Sequence, residues 1–441
     1  MKNRIISIIC ILAMMLSMST LGMLSASAAN TVLSESEFKD ITPVENLDYS
    51  FAILGDIQTI TNKAKKDNTY KGLTNIFSWL TDNQEERKIE YVLGLGDTID
   101  TLYTYPESYN PVYSNRVEWE KARANFKKLN GIIPYMVVRG NHDDEDGYHK
   151  YICTKEYQEQ IIKDANGNEV GGFYYDSTKM ATMGNSMSNS YRKLEIGNHK
   201  YLMLGLDFSI GDAEAGDDVL EWACGVVEAN PDYKVIVSIH AYVGGNGVRM
   251  QGQEIQQTNG ERTETEGFKF YGNKIWQQLV RKYENMFMVF SGHVSVDNPV
   301  VSRDTGDNGN EIINILVDPQ STYSIDPTTE QQVPLAAIFM MNVTNGGKVL
   351  EFEYIDADRD KQIKTRNRFS IELPEGTFPE FDPTPVTEAE ETTEAETTEA
   401  PATTEEAKKR GCKGSITSTV AICCAMGTTL AAFAMRKKKE D

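Results

Sequence analysis

The chain reads first as a series of short apolar runs separated by longer mixed segments. Tyr49–Leu54, Tyr91–Leu95, Ile132–Val138, Tyr201–Leu206, Val235–Ile239 and Met286–Phe290 are too short for helices and rich in branched and aromatic residues, which predicts buried strands. Between several of them, Gly72–Thr81, Val117–Leu129, Val219–Glu228 and Lys274–Tyr283 carry apolar residues at helical spacing and predict amphipathic helices. This alternation predicts an α/β sheet domain. Three later runs, Ile312–Val317, Ala337–Val343 and Val349–Tyr354, come one after another without helices and predict antiparallel strands closing a second sheet.

Both ends depart from this pattern. Lys2 and Arg4 precede an apolar run, Ile5 to Leu24, and the small-residue site Ala26-Ser27-Ala28, the layout of a secretory signal peptide over 1–28. An uncleaved anchor helix is the rival reading. The apolar segment Ile416 to Met435 is long enough for a bilayer core, and Arg436, Lys437, Lys438 and Lys439 come directly after it. That order predicts a transmembrane anchor over 414–435 and a basic cytoplasmic tail over 436–441, with everything before it outside the cell. The layout resembles bacterial surface-anchor tails, without an LPxTG motif. From Pro383 to Ala407 the chain is almost wholly Thr, Glu, Ala and Pro; lacking bulky apolar residues, it cannot offset the entropy of folding. It reads as the core of a linker, 376–413, that holds a folded domain, 29–375, above the membrane.

Composition narrows the field only modestly. Hydrophobic residues make up 40% of the 441, enough for a sizeable core, and 44 basic against 65 acidic residues give a net charge of −21. Such a charge disfavours non-specific nucleic-acid binding. A small phosphorylated substrate stays admissible, because a bound cation reverses the local potential. Cys153 and Cys224 are the only cysteines in the middle of the chain, and a disulfide and two free thiols are both open. No Cys/His zinc pattern and no phosphate loop of the G-x-x-x-x-G-K type occurs.

The chemistry lies in the residues at the C-terminal end of each apolar run. The first ends in Gly55-Asp56-Ile57-Gln58, the second in Gly96-Asp97-Thr98-Ile99-Asp100 and the third in Gly140-Asn141-His142-Asp143. Val235–Ile239 delivers His240, and Met286–Phe290 delivers Gly292-His293-Val294-Ser295. The carboxyl ends of strands line the ligand crevice of an α/β sheet, so these side chains are expected to converge. Singly, an Asp after a strand is a cap or turn residue and a lone His a structural one. Five such endings in order, using three of the chain's five histidines, point to a site; His149 and His199 read as surface residues.

The order resembles the calcineurin-like metallophosphoesterases, whose signature is D-x-H, GD-x-x-D, GNH-D/E, H and GH-x-H, over about Phe51 to Asp318. The resemblance implies a two-sheet αββα sandwich with two divalent ions (Mn, Fe, Zn, Mg or Ca) at the strand ends, hydrolysing phosphoester bonds. Asp97 would bridge both ions. Asn141, His240 and His293 would complete one site; Asp56, with the residues at 58 and 295, would belong to the other. His142 would protonate the leaving oxygen, and Asp100 would hydrogen-bond His142. A bridging carboxylate suits these roles, since ions roughly 3.5–4 Å apart clamp both ends of an in-line displacement.

The sequence departs from that signature twice, with Gln58 and Ser295 where the family has His. Both fall in one site, which leaves an oxygen-rich set suited to harder ions, or a weakly held one. The reading is a phosphatase or phosphodiesterase at the bacterial cell surface, acting on a small-molecule, lipid or cell-wall phosphoester, with no nucleic-acid partner beyond a nucleotide substrate. The alternative is a catalytically silent surface binding protein or adhesin on the same fold. Thr59 to Tyr70, Thr101 to Asn115 and Gly244 to Gly267 read as pocket-shaping loops and Met183 to Tyr191 as a lid.

Overall fold

The computed structural model describes residues 42–384, apart from 102–114, 155–162, 164–166, 168, 174–187, 209, 211–214, 254–256, 259–260, 263–268, 327 and 364–367. The signal-like and anchor-like segments, and the Thr/Glu/Ala/Pro-rich stretch beyond 384, lie outside the described residues, as does most of the proposed lid. No helix among the described residues is long and apolar enough to cross a membrane.

In chain order the strands of the two large sheets are β1 (Tyr49–Leu54), β2 (Ile89–Gly94), β3 (Tyr135–Val137), β4 (Gly171–Phe173), β5 (Ser190–Ile196), β6 (His199–Leu206), β7 (Lys234–Ile239), β8 (Met286–Ser291), β9 (Val300–Thr305), β10 (Glu311–Leu316), β11 (Ala337–Thr344), β12 (Val349–Asp356), β13 (Lys361–Gln362) and β14 (Phe369–Glu372). The helices are α1 (Gln58–Lys66), α2 (Gly72–Asp82), α3 (Arg116–Phe126), α4 (Glu145–Tyr151), α5 (Ala215–Glu228) and α6 (Gly272–Ile275), the last continuing as a π-helical turn over Trp276–Val280. The first sheet runs β13-β12-β11-β1-β2-β3, with β14 also on β12; the second runs β9-β10-β8-β7-β6-β5-β4.

Within the first sheet β1, β2 and β3 are parallel, and within the second β6, β7, β8 and β10 are parallel. Both parallel cores are buried on two faces, so their strands read as continuous apolar runs. Alternate residues nevertheless serve different layers. Phe51, Ile53, Tyr91 and Leu93 meet Tyr201, Met203, Met288 and Phe290 between the sheets. Ala52, Leu54 and Val92 face outward onto Ile60, Leu73, Phe77 and Trp119 of the helices. Leu202, Leu204, Val235 and Val237 do the same toward Leu220, Ala223 and Leu279. The result is a mixed α/β fold with helices outside two large sheets.

Several expectations change. The late strands do not together close a second sheet as antiparallel strands: β10 joins the second sheet parallel to β8, whereas β11 and β12 extend the first sheet antiparallel from β1. Thr59 to Tyr70 is largely helix α1, because Ile60 and Ala64, four apart, face the core despite the polar residues between them. Within Gly244 to Gly267, Gln251–Gln253 pairs with Lys269–Tyr271 and Gln257–Thr258 with Glu261–Arg262. The chain also continues to pack past 375, with Phe378 and Phe381 against the inter-sheet core. Cys153 and Cys224 form no disulfide and lie on opposite outer layers.

His199 is a correction: it is fully buried rather than on the surface. The Tyr49 hydroxyl lies 2.6 Å from its Nδ1, and its Nε2 lies 2.9 Å from the Pro379 carbonyl. A neutral imidazole satisfies both, with Nε2–H donating to Pro379 and the Tyr49 hydroxyl donating to Nδ1, while Tyr201 donates to Tyr49 at 2.7 Å. Burial holds the His199 pKa below that of a free histidine. The unfolded chain therefore takes up this proton first on acidification. The contribution is complete above about pH 6.5 and is lost as pH falls below it. Urea unfolding at pH 7.5 and pH 5 should show the wild type losing more stability on acidification than His199→Gln; equal losses would remove this assignment.

Candidate metal centre

Each candidate residue leaves a strand tip on a tight turn. Asp97, after β2, and His293, after β8, hold φ values of +46° and +73°. Non-glycine residues adopt this region at a cost, and such strain gathers at functional sites. Glycines make the turns close enough: a Cβ on Gly140 would stand 2.2 Å from Asp97 Oδ1, and one on Gly292 would stand 2.1 Å from Asp56 Oδ1. The GN and GH glycines thus each admit a carboxylate from another strand, while Gly96 admits the Gly140 backbone and the His240 ring.

The ligand atoms of Asp97, His240 and His293 all lie within 4.8 Å of one another. His240 Nε2 is 3.3 Å from Asp97 Oδ1 and 2.8 Å from Asn141 Oδ1; His293 Nδ1 is also 2.8 Å from that amide oxygen. His240 Nδ1 lies 2.9 Å from the Leu95 carbonyl, an acceptor, so Nδ1 carries the hydrogen and Nε2 of the neutral ring offers a lone pair. Lone pairs from a carboxylate, an amide oxygen and imidazole therefore face one small volume, an arrangement a cation satisfies. Burial, with the neighbouring His240, pushes the His293 pKa down to about 4, which keeps its ring neutral and available as a ligand. Burial would raise the Asp97 pKa, but positive charge at His240, whose place a cation at Nε2 would take, and the His142 N–H outweigh it and hold the carboxylate charged.

Asp56 adjoins this group. Both its oxygens accept from the His293 N–H, at 3.2 and 3.0 Å. Burial pushes its pKa well up, and the charges of Asp318 and Asp97 add to the effect. Gln58 begins α1, is 4% exposed, and its Oε1 has no hydrogen-bond partner. A buried amide oxygen left unpartnered is costly, which fits a missing electrophile such as a cation. Ser295 is solvent-exposed.

His142 lies beside the cluster, its backbone N–H donating to Asp97 Oδ1 at 2.8 Å. Its Nδ1 meets the carbonyl of Asp100 at 2.9 Å, while the Asp100 carboxylate is 4.0 Å away and accepts from Asn62 Nδ2. The expected His142–Asp100 hydrogen bond is thus made by the main chain. A carbonyl fixes the tautomer but raises basicity less than a carboxylate in contact. Glu118, fully buried on α3, holds that carbonyl in place: it accepts from the Asp100 N–H at 2.7 Å, the Thr101 N–H at 3.2 Å and Lys65 Nζ at 2.7 Å.

Three further groups lie outside the residues to which the sequence assigns a role. Asp143 accepts from the N–H groups of Thr98, Ile99 and Gly140, and so ties the Asp97 turn to the Asn141 turn. Arg139 and Asp207 form a buried two-pronged ion pair at 2.8 and 2.9 Å beside these turns. Asp318 comes after β10. A signal exists for the last: Ile312–Val317 ends in an acid as the other runs end in theirs.

Residues 49–310, more than half of the chain, match the model of the calcineurin-like phosphoesterase family. The chain belongs to that family. Its similarity to a Bacillus subtilis (strain 168) protein, the uncharacterized protein YvnB, is 25% identity over 222 residues, covering 49% of this chain and 13% of that protein. The chain therefore spans about an eighth of the length of the curated relative it matches. Among solved structures it is similar to GAP50, the anchor in the inner membrane complex of Plasmodium, with 11% identity, a TM-score of 0.39, and 75% and 91% of the two chains covered. It is also similar to purple acid phosphatase PPD1 from yellow lupin (Lupinus luteus) seeds, with 14% identity, a TM-score of 0.39, and 74% and 54% covered. Calcineurin-like phosphoesterases bind divalent metals, and Asp97, His240 and His293 form a possible site for one.

Proposed function

We propose that this calcineurin-like phosphoesterase is a metal-dependent phosphoester hydrolase, exported and held at the cell surface by its C-terminal segment. The observation that carries the reading is the convergence of lone pairs from Asp97, Asn141, His240 and His293 on one buried volume. In this reading Asp97, Asn141, His240 and His293 hold one cation, and Asp56, Gln58 and Asp97 help hold a second. When bound, such ions supply Lewis acidity toward phosphoryl oxygens and acidify water.

The chain's own residues supply the rest. His142 gives a proton to the departing oxygen. Its Nδ1–H bond to the Asp100 carbonyl leaves Nε2 as the exchanging nitrogen. Glu118 and Lys65 keep that carbonyl from shifting, and Asp143 holds the Asp97 and Asn141 turns at a fixed spacing. Export and tethering rest on the basic start and small-residue site at 1–28 and on the apolar segment with its basic flank at 416–439.

The purified protein, assayed with a chromogenic phosphomonoester and a phosphodiester, should hydrolyse at least one of them with Mn²⁺ and neither after chelation. His142→Ala should lower kcat by about 10²–10⁴ with metal content unchanged. Absence of hydrolysis of either substrate at any metal loading would remove the reading. Deleting 414–441 should move the protein from the membrane fraction to the medium.

A further inference from the structure

The loss of two imidazoles from one metal site raises the question of what replaces them, and the fold places an answer beside Asp56. Asp318 comes after β10 of the second sheet, and Asp56 after β1 of the first. The two turns are packed together. A Cβ on Gly55 would stand 2.5 Å from the Val317 carbonyl oxygen and 3.0 Å from Pro319 Cδ, the residues flanking Asp318. Of the neighbouring charges, that of Asp318 acts most on Asp56. Asp56 and Asp318 are buried, at 1% and 0% exposure, as is Asp97 at 2%.

Position 295, where one imidazole is missing, is tied to the same acid. The N–H of Val296 donates to the Asp318 carbonyl at 2.8 Å, so the turn after His293 runs alongside Asp318. Gln320 holds the Asp318 side chain through its N–H at 3.0 Å and its Nε2 at 2.9 Å.

Among the described residues, no lysine or arginine forms an ion pair with Asp56 or Asp318, and only His240 does so with Asp97. The neighbours that act most strongly on Asp56 and Asp318 are other carboxyls, His240, the His293 N–H and Gln320, with no lysine or arginine among them. Adjacent buried carboxylates require a proton or a cation. Two independent features point to a cation. Tyr354 is 1% exposed, its hydroxyl has no hydrogen-bond partner, and it is close enough for the Asp318 and Asp56 charges to act on it. The Gln58 amide oxygen, two residues beyond Asp56, is likewise buried and unpartnered.

We propose that Asp318 takes the place of the missing imidazoles, so that Asp56, Asp97, Asp318 and the Gln58 amide oxygen form an all-oxygen cation site beside the nitrogen-bearing one. The inference rests on the metal-dependent reading of the centre. It makes the centre asymmetric by chemistry: an all-oxygen set takes hard ions such as Mn²⁺, Mg²⁺ or Ca²⁺, whereas the set with two imidazoles also suits Zn²⁺ or iron.

The test is metal binding by the full-length protein, stripped with chelator and dialysed against Mn²⁺, with bound ions counted by mass spectrometry. The wild type should hold two ions per chain. Asp318→Asn should hold one, with the affinity of the other lowered tenfold or more, and Gln58→Met should weaken the same ion several-fold. Without metal, Asp318→Asn should melt no lower than the wild type, because it removes a charge facing Asp56, yet gain less in Tm from Mn²⁺. Two ions bound with unchanged affinity in both variants would overturn the proposal and leave the metal-dependent reading standing. So would a wild type holding a single ion that Asp318→Asn does not disturb. A wild type that binds no ion would end both.

Discussion

Asp97→Asn should lower kcat/KM for phosphoester hydrolysis by about 10³ or more while leaving the fold intact. The carboxylate is 3.3 Å from His240 Nε2, accepts the His142 N–H at 2.8 Å, and acts electrostatically on Asp56 and Asp143. It is the charged member of the Asp97, His240 and His293 set, so its loss removes the anionic ligand common to both proposed ions. Removing a single preorganised electrostatic group from an active site commonly costs about 10²–10³ in rate, and a weakened metal adds to that. Asparagine is the informative replacement because, like aspartate, it tolerates the left-handed backbone found at this position. Asp97→Ala would add backbone strain and confuse the two effects. Steady-state kinetics, metal content and thermal melting, measured together, check this. A variant that keeps a tenth of the activity with its metals in place would remove Asp97 from the mechanism.

The second large effect is on stability. Arg139→Ala should cost about 3–5 kcal/mol, because it strands a buried carboxylate. The Arg139 side chain is 11% exposed and that of Asp207 5%, the guanidinium grips both carboxylate oxygens, and it lies 4.8 Å from the centre of the Phe208 ring. Burial opposes the charge on Arg139, but the Asp207 carboxylate overcomes it and holds the guanidinium firmly protonated. Arg139 comes after β3 of the first sheet and Asp207 after β6 of the second, so the pair joins the sheets immediately beside Asn141. Replacing both partners with apolar residues, as in Arg139→Met with Asp207→Leu, should recover much of the loss, since a buried pair is worth little against well-packed apolar groups. Urea unfolding of the two variants at pH 7 decides the matter: equal losses would mean the ion pair is not the source.

Much of this molecule is legible along the chain because strand burial and turn chemistry are local. A parallel strand buried on both faces must be apolar throughout, so β1, β2, β6, β7 and β8 announce themselves. The residues after them stand out because glycine before a short polar side chain marks a sharp turn. Thus Asp56, Asp97, Asn141, His142, His240 and His293 can be named without any knowledge of contacts, and Asp97, Asn141, His240 and His293 do meet. Helix α1 is less legible, since Gln58, Thr59, Thr61 and Asn62 dilute the apolar positions and only its packing into the outer cluster with α2 and α3 explains its burial.

The chain alone therefore determined the order of elements and the identity of the chemically able residues at their ends, because apolar periodicity and turn propensity depend on near neighbours. The tertiary structure alone decided which sheet received β10, why His199 is buried under Phe378 and Phe381, that a main-chain carbonyl rather than the Asp100 carboxylate meets His142, and that Asp318 stands against Asp56. Each of these joins residues far apart in sequence. Their energies depend on distances and shared burial, and those exist only once the two sheets have closed on each other.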